Sequence, residues 1–96
     1  MPPLFKSWFV YAGGFGGDTL DPTNYFHINF FPACQTTGPY ICVVAADYIP
    51  STYGVHPSPY SFFSNLRTYI IDARATWVAQ PSGLGQVPYV YVSSFP

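Results

Sequence analysis

Charge is what this chain has least of. Lys, Arg and Asp together make up 7% of its 96 residues, and Glu is absent, whereas charged residues make up about 25% of an average soluble protein. The formal net charge is −1, so electrostatic repulsion does little to keep copies of the chain apart. A nucleic-acid-binding surface is also excluded, because that function needs a cluster of basic residues against the phosphates.

Long apolar runs are missing as well. A membrane-spanning helix needs about 18 uninterrupted apolar residues, and Lys6, Asn29, Pro32 and Asp47 interrupt the apolar segments well before that length. The first residues do not form a basic segment followed by an apolar segment and a cleavage site, so no signal peptide is visible. We therefore expect no membrane span, and export, if it occurs, by another route or from a processed form.

Aromatic residues are the most abundant feature that remains. They make up 21% of the chain, with nine Tyr, nine Phe and two Trp, and apolar residues reach 49%. This composition is the opposite of that of disordered chains. A chain of this length forms one domain that hides roughly 65% of its unfolded surface, and each ring can bury about 150–250 Å². We therefore expect some of the rings to face a partner.

The hydrophobic pattern predicts a small α+β domain over residues 1–96. Its expected architecture is a mainly antiparallel sheet of about four strands, with one amphipathic helix packed on one face. Segment 40–46 is apolar on both faces, which is typical of a central strand. The predicted strands are residues 4–12, 25–31, 40–46 and 87–95, the helix is residues 60–78, and a Pro-rich connector covers residues 47–59.

Alternation within segment 25–31 predicts which of its side chains are buried. It places three residues inward, Phe26, Ile28 and Phe30, and three outward, Tyr25, His27 and Asn29.

The helix is predicted to begin at Ser58-Pro59, an N-cap followed by a first-turn proline. Apolar residues then recur at helical spacing and predict the buried side. These are Phe62, Leu66, Tyr69 or Ile70, Ala73 and Trp77.

Cysteine occurs twice, at Cys34 and Cys42, on either side of a turn-rich segment between two predicted strands. A hairpin there would bring both within disulfide reach, so we predict a disulfide between them. Such a bond indicates an oxidising environment, which is extracellular or the surface of a particle. Two buried free thiols in a cytosolic chain remain the alternative.

Four short motifs occur in the first half of the chain: Gly13-Gly14, Asp21-Pro22-Thr23-Asn24-Tyr25, Pro32-Ala33-Cys34 and Cys42-Val43-Val44-Ala45. Together they resemble short uncharacterised proteins of Bacteroidota bacteria, which have a Gly-rich start, an Asn-Tyr pair, a Pro-Xaa-Cys motif and a second Cys followed by small and branched residues. The chain differs from them in segment 53–60 and at its Tyr- and Val-rich end. The resemblance implies no known activity.

The glycine-rich segment 13–21 matches a nonapeptide pattern that binds calcium in parallel β-rolls. That motif works in stacked copies, and a single copy supplies half of a site, so Asp18 and Asp21 are weak calcium candidates. A turn in which both carboxylates accept hydrogen bonds from nearby amides is the stronger interpretation. We expect no cofactor.

Residues for catalysis are sparse. His27 and His56 have no partner at metal-ligand spacing, and the sequence contains no G-x-S-x-G motif and no phosphate-binding loop. A Cys-His nucleophile pair would be lost on formation of the disulfide. We therefore expect that the chain is not an enzyme.

The tyrosines favour a structural function. Rigid aromatic residues with one polar tip concentrate at interfaces, where charged residues are depleted. We predict a homopolymeric filament or particle shell, with strands 4–12 and 87–95 pairing across subunits. The alternatives are a carbohydrate-binding module that uses Trp8, Trp77 and exposed tyrosines, and a small accessory subunit of a heteromeric complex. The expected interface residues are Trp8, Tyr11, Tyr25, Tyr48, Tyr53, Tyr60, Tyr89 and Tyr91.

Overall fold

A computed structural model describes residues 5–13, 17–29, 33–48, 52, 54–63, 65–83 and 88–94. Four strands form one antiparallel sheet in the order β2-β1-β3-β4, and a 12-residue α-helix packs on it. The predicted α+β class is confirmed. The strands are β1 (Phe5–Tyr11), β2 (Tyr25–His27), β3 (Tyr40–Tyr48) and β4 (Val90–Ser93); the helix is α1 (Asn65–Thr76), and 3-10 helices cover Pro22–Asn24 and Pro59–Phe63.

Strand β3 is central, as its apolar character predicted. It pairs with β1 on one side and with β4 on the other. The register to β4 shifts between Ile41 and Val43, so one extra residue is accommodated there. This bulge changes the alternation, and as a result Ile41 and Val44, three positions apart, both join the cluster around α1.

The predicted faces of β2 are wrong. The register places Tyr25 opposite Tyr11 and His27 opposite Phe9, on the side that packs around α1. Tyr25 is therefore fully buried, and Phe26 is 39% exposed. Alternation predicts that neighbours face opposite ways, but the face that is covered depends on what packs there. The strand is also shorter than predicted, and residue 30 lies outside the described part of the chain.

The helical segment starts and ends differently from the prediction. A 3-10 helix covers Pro59–Phe63, and α1 ends at Thr76. Leu66, Ile70 and Ala73 are buried, as is Phe62, which confirms the predicted apolar side. Trp77 is not part of it, because its backbone adopts a φ of 62° and its side chain is 57% exposed. The left-handed backbone ends the helix and removes the indole from the helical repeat.

The predicted disulfide is confirmed. Cys34 and Cys42 are bonded, with Cα atoms 6.0 Å apart. The second cysteine lies in β3, so the bond ties the preceding loop to the centre of the sheet. Within the connector, the amide of Ser58 donates a hydrogen bond to the carbonyl oxygen of Asp47, 2.9 Å away.

Candidate functional site

The sheet has one face covered by α1 and one face directed away from it. Paired residues of neighbouring strands point to the same face. Val10 pairs with Phe26 and with Val43, and Val43 pairs with Tyr91, whereas the cluster around α1 uses alternate positions such as Phe9. We call the uncovered surface the outer face. By strand register, its described positions are Lys6, Trp8, Val10, Phe26, Ile28, Val43, Ala45, Asp47 and Tyr91.

Two aromatic rings cover the centre of the outer face. Trp8 comes from β1 and Tyr91 from β4, strands that are separated by β3, yet their ring centroids are 5.7 Å apart. Strands two places apart are separated by roughly 9.5 Å, so the rings must meet above β3. Their partners on that strand are the small residues Ala45 and Val43, both buried. The two rings therefore shield the central strand and remain half-buried themselves.

The outer face is poor in charge. Its two charged residues, Lys6 and Asp47, are paired across β1 and β3 near one end of the sheet. The exposed side of α1, in contrast, carries Arg67, Asp72 and Arg74. Apart from this pair at one end, the described outer face presents aromatic and aliphatic side chains. Phe26, with its ring 5.1 Å from that of His56, is the most exposed of these.

The edge at β4 is hydrogen-bonded to other parts of the chain. Val92 exchanges two backbone hydrogen bonds with Gln35, at 2.8 and 3.1 Å, and Val90 exchanges two with Gln80, at 2.9 and 3.0 Å. The amide of Ser94 donates to Oε1 of Gln35, 2.8 Å away. These bonds occupy the outward-pointing groups of the strand, so they protect the edge from addition of another strand.

The edge at β2 is protected in a similar way. The amide of His27 donates to the carbonyl oxygen of Val55 at 2.7 Å, and Nδ1 of His56 lies 2.9 Å from the carbonyl oxygen of Tyr25. Since a carbonyl only accepts, His56 carries a proton on Nδ1. The predicted pairing of terminal strands across subunits stays a prediction, and the hydrogen bonds described above disfavour it at β4. Strand β1 pairs with β3 along residues 5–10 and with β2 along residues 9–11.

Three of the predicted interface tyrosines belong to the covered side of the sheet. Tyr25 is fully buried, which overturns its predicted interface role, and Tyr11 and Tyr48 pack against the same core. Each finds partners within the fold. The ring of Tyr48 stacks on that of His27 with centroids 4.1 Å apart, and the Tyr11 and Tyr25 rings are 5.2 Å apart. Three of the eight predicted interface residues therefore pack within the fold.

The other predicted interface residues are dispersed. Trp8 and Tyr91 lie on the outer face, Tyr60 is 72% exposed in the second 3-10 helix, and Tyr89 is partly exposed beside the ring of Tyr69. Tyr53 lies outside the described residues. The structure does not combine these residues into one surface.

The exposure of Phe26 was not predicted, and the helical spacing placed Trp77 in the apolar repeat. The residues on either side of Trp77, Thr76 and Val78, give no indication of a left-handed backbone at this position.

Burial sets the ionisation of the central tyrosine. The hydroxyl of Tyr25 donates to the carbonyl oxygen of Thr19, 2.7 Å away. Burial raises the pKa of this phenol far above its ordinary value, and the nearby Tyr11 and Asp18 add to the rise. The pKa of Tyr11 is also raised, again mainly by burial. Both phenols are therefore neutral at physiological pH.

Local amides occupy the carboxylates of the glycine-rich segment. Oδ1 of Asp18 accepts the amide of Leu20 at 2.9 Å, and Oδ1 of Asp21 accepts the amide and hydroxyl of Thr23 at 2.9 and 2.7 Å. These hydrogen bonds hold the pKa of Asp21 below its ordinary value. The predicted turn interpretation is confirmed. In the described ranges, no three His, Cys, Asp or Glu side chains come together as a metal site.

The glycines of this segment also make room for a ring. A methyl group added at Gly13 or Gly17 would overlap the phenol of Tyr11. Close packing thus explains two of these glycines: Gly13 lies against Tyr11, and Gly17 lies against both Tyr11 and the backbone carbonyl of Gly13.

Both histidines take part in contacts within the fold. Nε2 of His27 lies 2.8 Å from the hydroxyl oxygen of Ser7. The imidazole ring of His27 stacks on Tyr48 and makes an edge contact with Phe9. His56 secures the connector to β2, as described above. The pairing of Ser7 with His27 was not predicted, because 20 residues separate them in the sequence.

Comparison with models of protein families, with curated proteins and with solved structures finds no match in any of the three. The resemblance to Bacteroidota proteins therefore stays a prediction, and function has to be argued from the residues. Within the ranges that the structure describes, no helix is long and apolar enough to cross a bilayer.

Proposed function

We propose that the chain is a structural subunit of a homopolymeric extracellular filament or particle shell, and that copies contact each other through the outer face. The observation that carries this proposal is the apolar, aromatic centre of the outer face. Its charged residues, Lys6 and Asp47, are paired at one end of the sheet, whereas Trp8, Tyr91 and Phe26 lie among aliphatic residues. Depletion of charge with enrichment of aromatic residues is typical of the centre of an interface.

The capped edges favour face-to-face contact over strand addition. Gln35 and Gln80 occupy the outward groups of β4, and segment 54–58 occupies those of β2. Two sheets can instead pack their faces about 10 Å apart through interdigitated side chains. A standard interface buries about 800 Å² on each partner, roughly one seventh of the 5828 Å² surface of this subunit. The disulfide between Cys34 and Cys42 is compatible with an extracellular location.

Sedimentation velocity and electron microscopy of the concentrated chain test the proposal. The native chain is expected to form polymers, and Phe26→Lys is expected to reduce them to smaller species, because a buried, unpaired ammonium in the contact is costly. Phe26 is suitable because it is 39% exposed, whereas Tyr91 also shields the fold. The matched control is Thr68→Lys on the exposed side of α1, which should assemble normally.

Two results would contradict the proposal. One is a native chain that stays monomeric at millimolar concentration, and the other is a Phe26→Lys variant that polymerises like the native chain. Copurification of other proteins in fixed stoichiometry would instead support the accessory-subunit alternative.

Carbohydrate binding is the second candidate function. Exposure of Trp77, at 57%, favours it, since a solvent-facing indole can stack on a sugar ring. The other predicted platform, Trp8, is half-buried against Tyr91, which leaves it less accessible. Calorimetric titration with cellohexaose and maltohexaose tests this function, and absence of heat at millimolar sugar would exclude these two ligands.

A further inference from the structure

Gln35 closes the outer edge of the sheet at β4. It exchanges two backbone hydrogen bonds with Val92, and its side-chain oxygen Oε1 accepts the amide of Ser94 at 2.8 Å. The hydroxyl of Ser94 donates to the same oxygen, also at 2.8 Å. One residue thus occupies the outward-pointing groups at two positions of the edge. We call the segment that carries it, residues 34–37, the cap.

Hydrogen bonds rather than burial hold the cap in place. Gln35, Thr36 and Thr37 are all exposed, so these residues bury little apolar surface. Beyond Gln35, the carbonyl oxygen of Thr36 accepts the amide of Ala79 at 2.8 Å, and Thr37 bridges to Val78. Each exposed hydrogen bond contributes little net stability, and segments with few buried contacts open while the rest of the fold stays intact. Closure of the cap therefore depends strongly on any covalent link to the sheet.

The disulfide supplies that link directly beside Gln35. Cys34 is bonded to Cys42, which is the extra residue of the bulge in β3 and follows Ile41, the partner of Val92 on that strand. The bond therefore holds Gln35 next to the strand position that it closes. Both cysteines are only partly buried, so a thiolate can reach the bond. In the chain-entropy model, loss of a link across 8 residues favours the open segment by on the order of 50-fold.

We propose that the disulfide between Cys34 and Cys42 is a redox latch on the β4 edge, and that the reduced chain pairs this edge with β4 of a second copy. In the reduction, a dithiol transfers two electrons and two protons to the bond, so both cysteines become thiols and the dithiol becomes a disulfide. The contact does not use the outer face, so the inference is independent of the proposed function.

The groups that the cap releases are complementary to themselves. Opening frees the amide and carbonyl of Val92 and the amide of Ser94. Two copies that meet antiparallel about Ser93 place Val92 of each opposite Ser94 of the other, which is the spacing of hydrogen-bonded pairs in an antiparallel ladder. Such a contact uses the same strand on both copies and closes at a dimer. Exposed strand edges readily accept another strand in this way.

Amide hydrogen exchange of the dilute chain tests the latch, with single amides resolved by mass spectrometry and electron-transfer fragmentation. The amides of Gln35 and Val92 donate the two backbone bonds of the cap, and both should exchange on the order of 50-fold faster after reduction. Local opening exposes little surface, so about 1 M urea should not change these two rates in the reduced chain. The buried helical residue Ile70 is the matched control, because its exchange requires global unfolding and should accelerate severalfold in urea.

Sedimentation velocity in a Phe26→Lys background tests the pairing, because this substitution removes the outer-face contact. The disulfide-bonded protein should be monomeric and the reduced protein dimeric. Ser94→Pro removes the amide that the ladder needs and should keep the reduced protein monomeric, whereas the control Ser94→Ala keeps the amide and should dimerise. A variant with serine at both Cys34 and Cys42 should dimerise without a reductant.

The latch is refuted if exchange at Gln35 and Val92 in the reduced chain responds to urea as Ile70 does, because the bond then stabilises only the fold as a whole. Loss of the far-ultraviolet circular dichroism of the fold on reduction has the same meaning. A reduced protein that stays monomeric, or dimers of Ser94→Pro that match those of Ser94→Ala, would refute the pairing. If the disulfide-bonded native chain fails to polymerise while the reduced Phe26→Lys variant dimerises, the proposed function fails and this inference stands.

Discussion

Alkaline pH is expected to destabilise the protein through Tyr25. Burial raises the pKa of this phenol well above the ordinary value of 10.0, so above pH 10 the unfolded chain releases this proton and the folded chain keeps it. The folded state then binds more protons, and the free energy of unfolding falls as pH rises, by about 1.4 kcal/mol per pH unit. Below pH 10 the phenol is neutral in both states, so the contribution of Tyr25 to the free energy of unfolding is fully present. Tyr11, whose pKa is also raised, adds to the decline.

Tyr25→Phe separates this effect from the others. The variant loses the hydrogen bond to the carbonyl oxygen of Thr19, a residue that is itself buried, and an unsatisfied buried acceptor costs about 1–2 kcal/mol at neutral pH. It also loses the ionisable group, so the share of the decline due to Tyr25 disappears. The stability curves of the native chain and the variant should therefore meet about one pH unit above 10.

Urea denaturation followed by far-ultraviolet circular dichroism, from pH 7 to alkaline pH, measures both curves. The protein should be dilute, so that assembly does not contribute to stability. Tyr60→Phe is the matched control, because its ring is 72% exposed and its removal should leave the native slope unchanged. If Tyr25→Phe declines above pH 10 as steeply as the native chain, the buried phenol is not the cause and the reasoning fails.

Two further predictions concern the stability of the fold. Cys34 and Cys42 are 8 residues apart, and reduction of their bond should lower the free energy of unfolding by about 2.5 kcal/mol in the chain-entropy model. Unchanged urea midpoints with and without dithiothreitol would contradict this prediction. As a control, a variant with serine at both positions should not respond to the reductant. Ile70→Ala should lower the free energy of unfolding by about 3 kcal/mol, because Ile70 is fully buried. Ile71→Ala should lower it by less than about 1 kcal/mol, because the neighbouring Ile71 is 43% exposed. Similar losses at both positions would show that the helix is not oriented as described.

The candidate site was predictable only in part. Sequence alone indicated that aromatic residues with little charge nearby would face a partner, and Trp8 and Tyr91 do lie on the outer face. It also named Tyr25, which is buried. Tyrosine suits both locations, since its ring packs in a core and its hydroxyl can find a carbonyl there. Composition therefore does not distinguish a core tyrosine from an interface tyrosine.

Local patterns were enough to determine several parts of the fold. Helical spacing identified Leu66, Ile70 and Ala73 as buried, and Pro59 marked the start of the helical segment. Two cysteines on either side of a short turn-rich segment predicted the disulfide. In each case the information lies within a few residues along the chain, where backbone geometry alone relates neighbouring side chains.

Tertiary structure decided the rest. The strand order places β1 between β2 and β3. Hydrogen bonds from Gln35 and Gln80 protect the edge at β4. Packing around α1 buries Tyr25 of β2 and leaves Phe26 exposed. All three depend on segments that are distant in sequence and meet only when the chain is folded. A strand's alternation is intrinsic to its backbone, but which face is covered and which edge is open are properties of its neighbours.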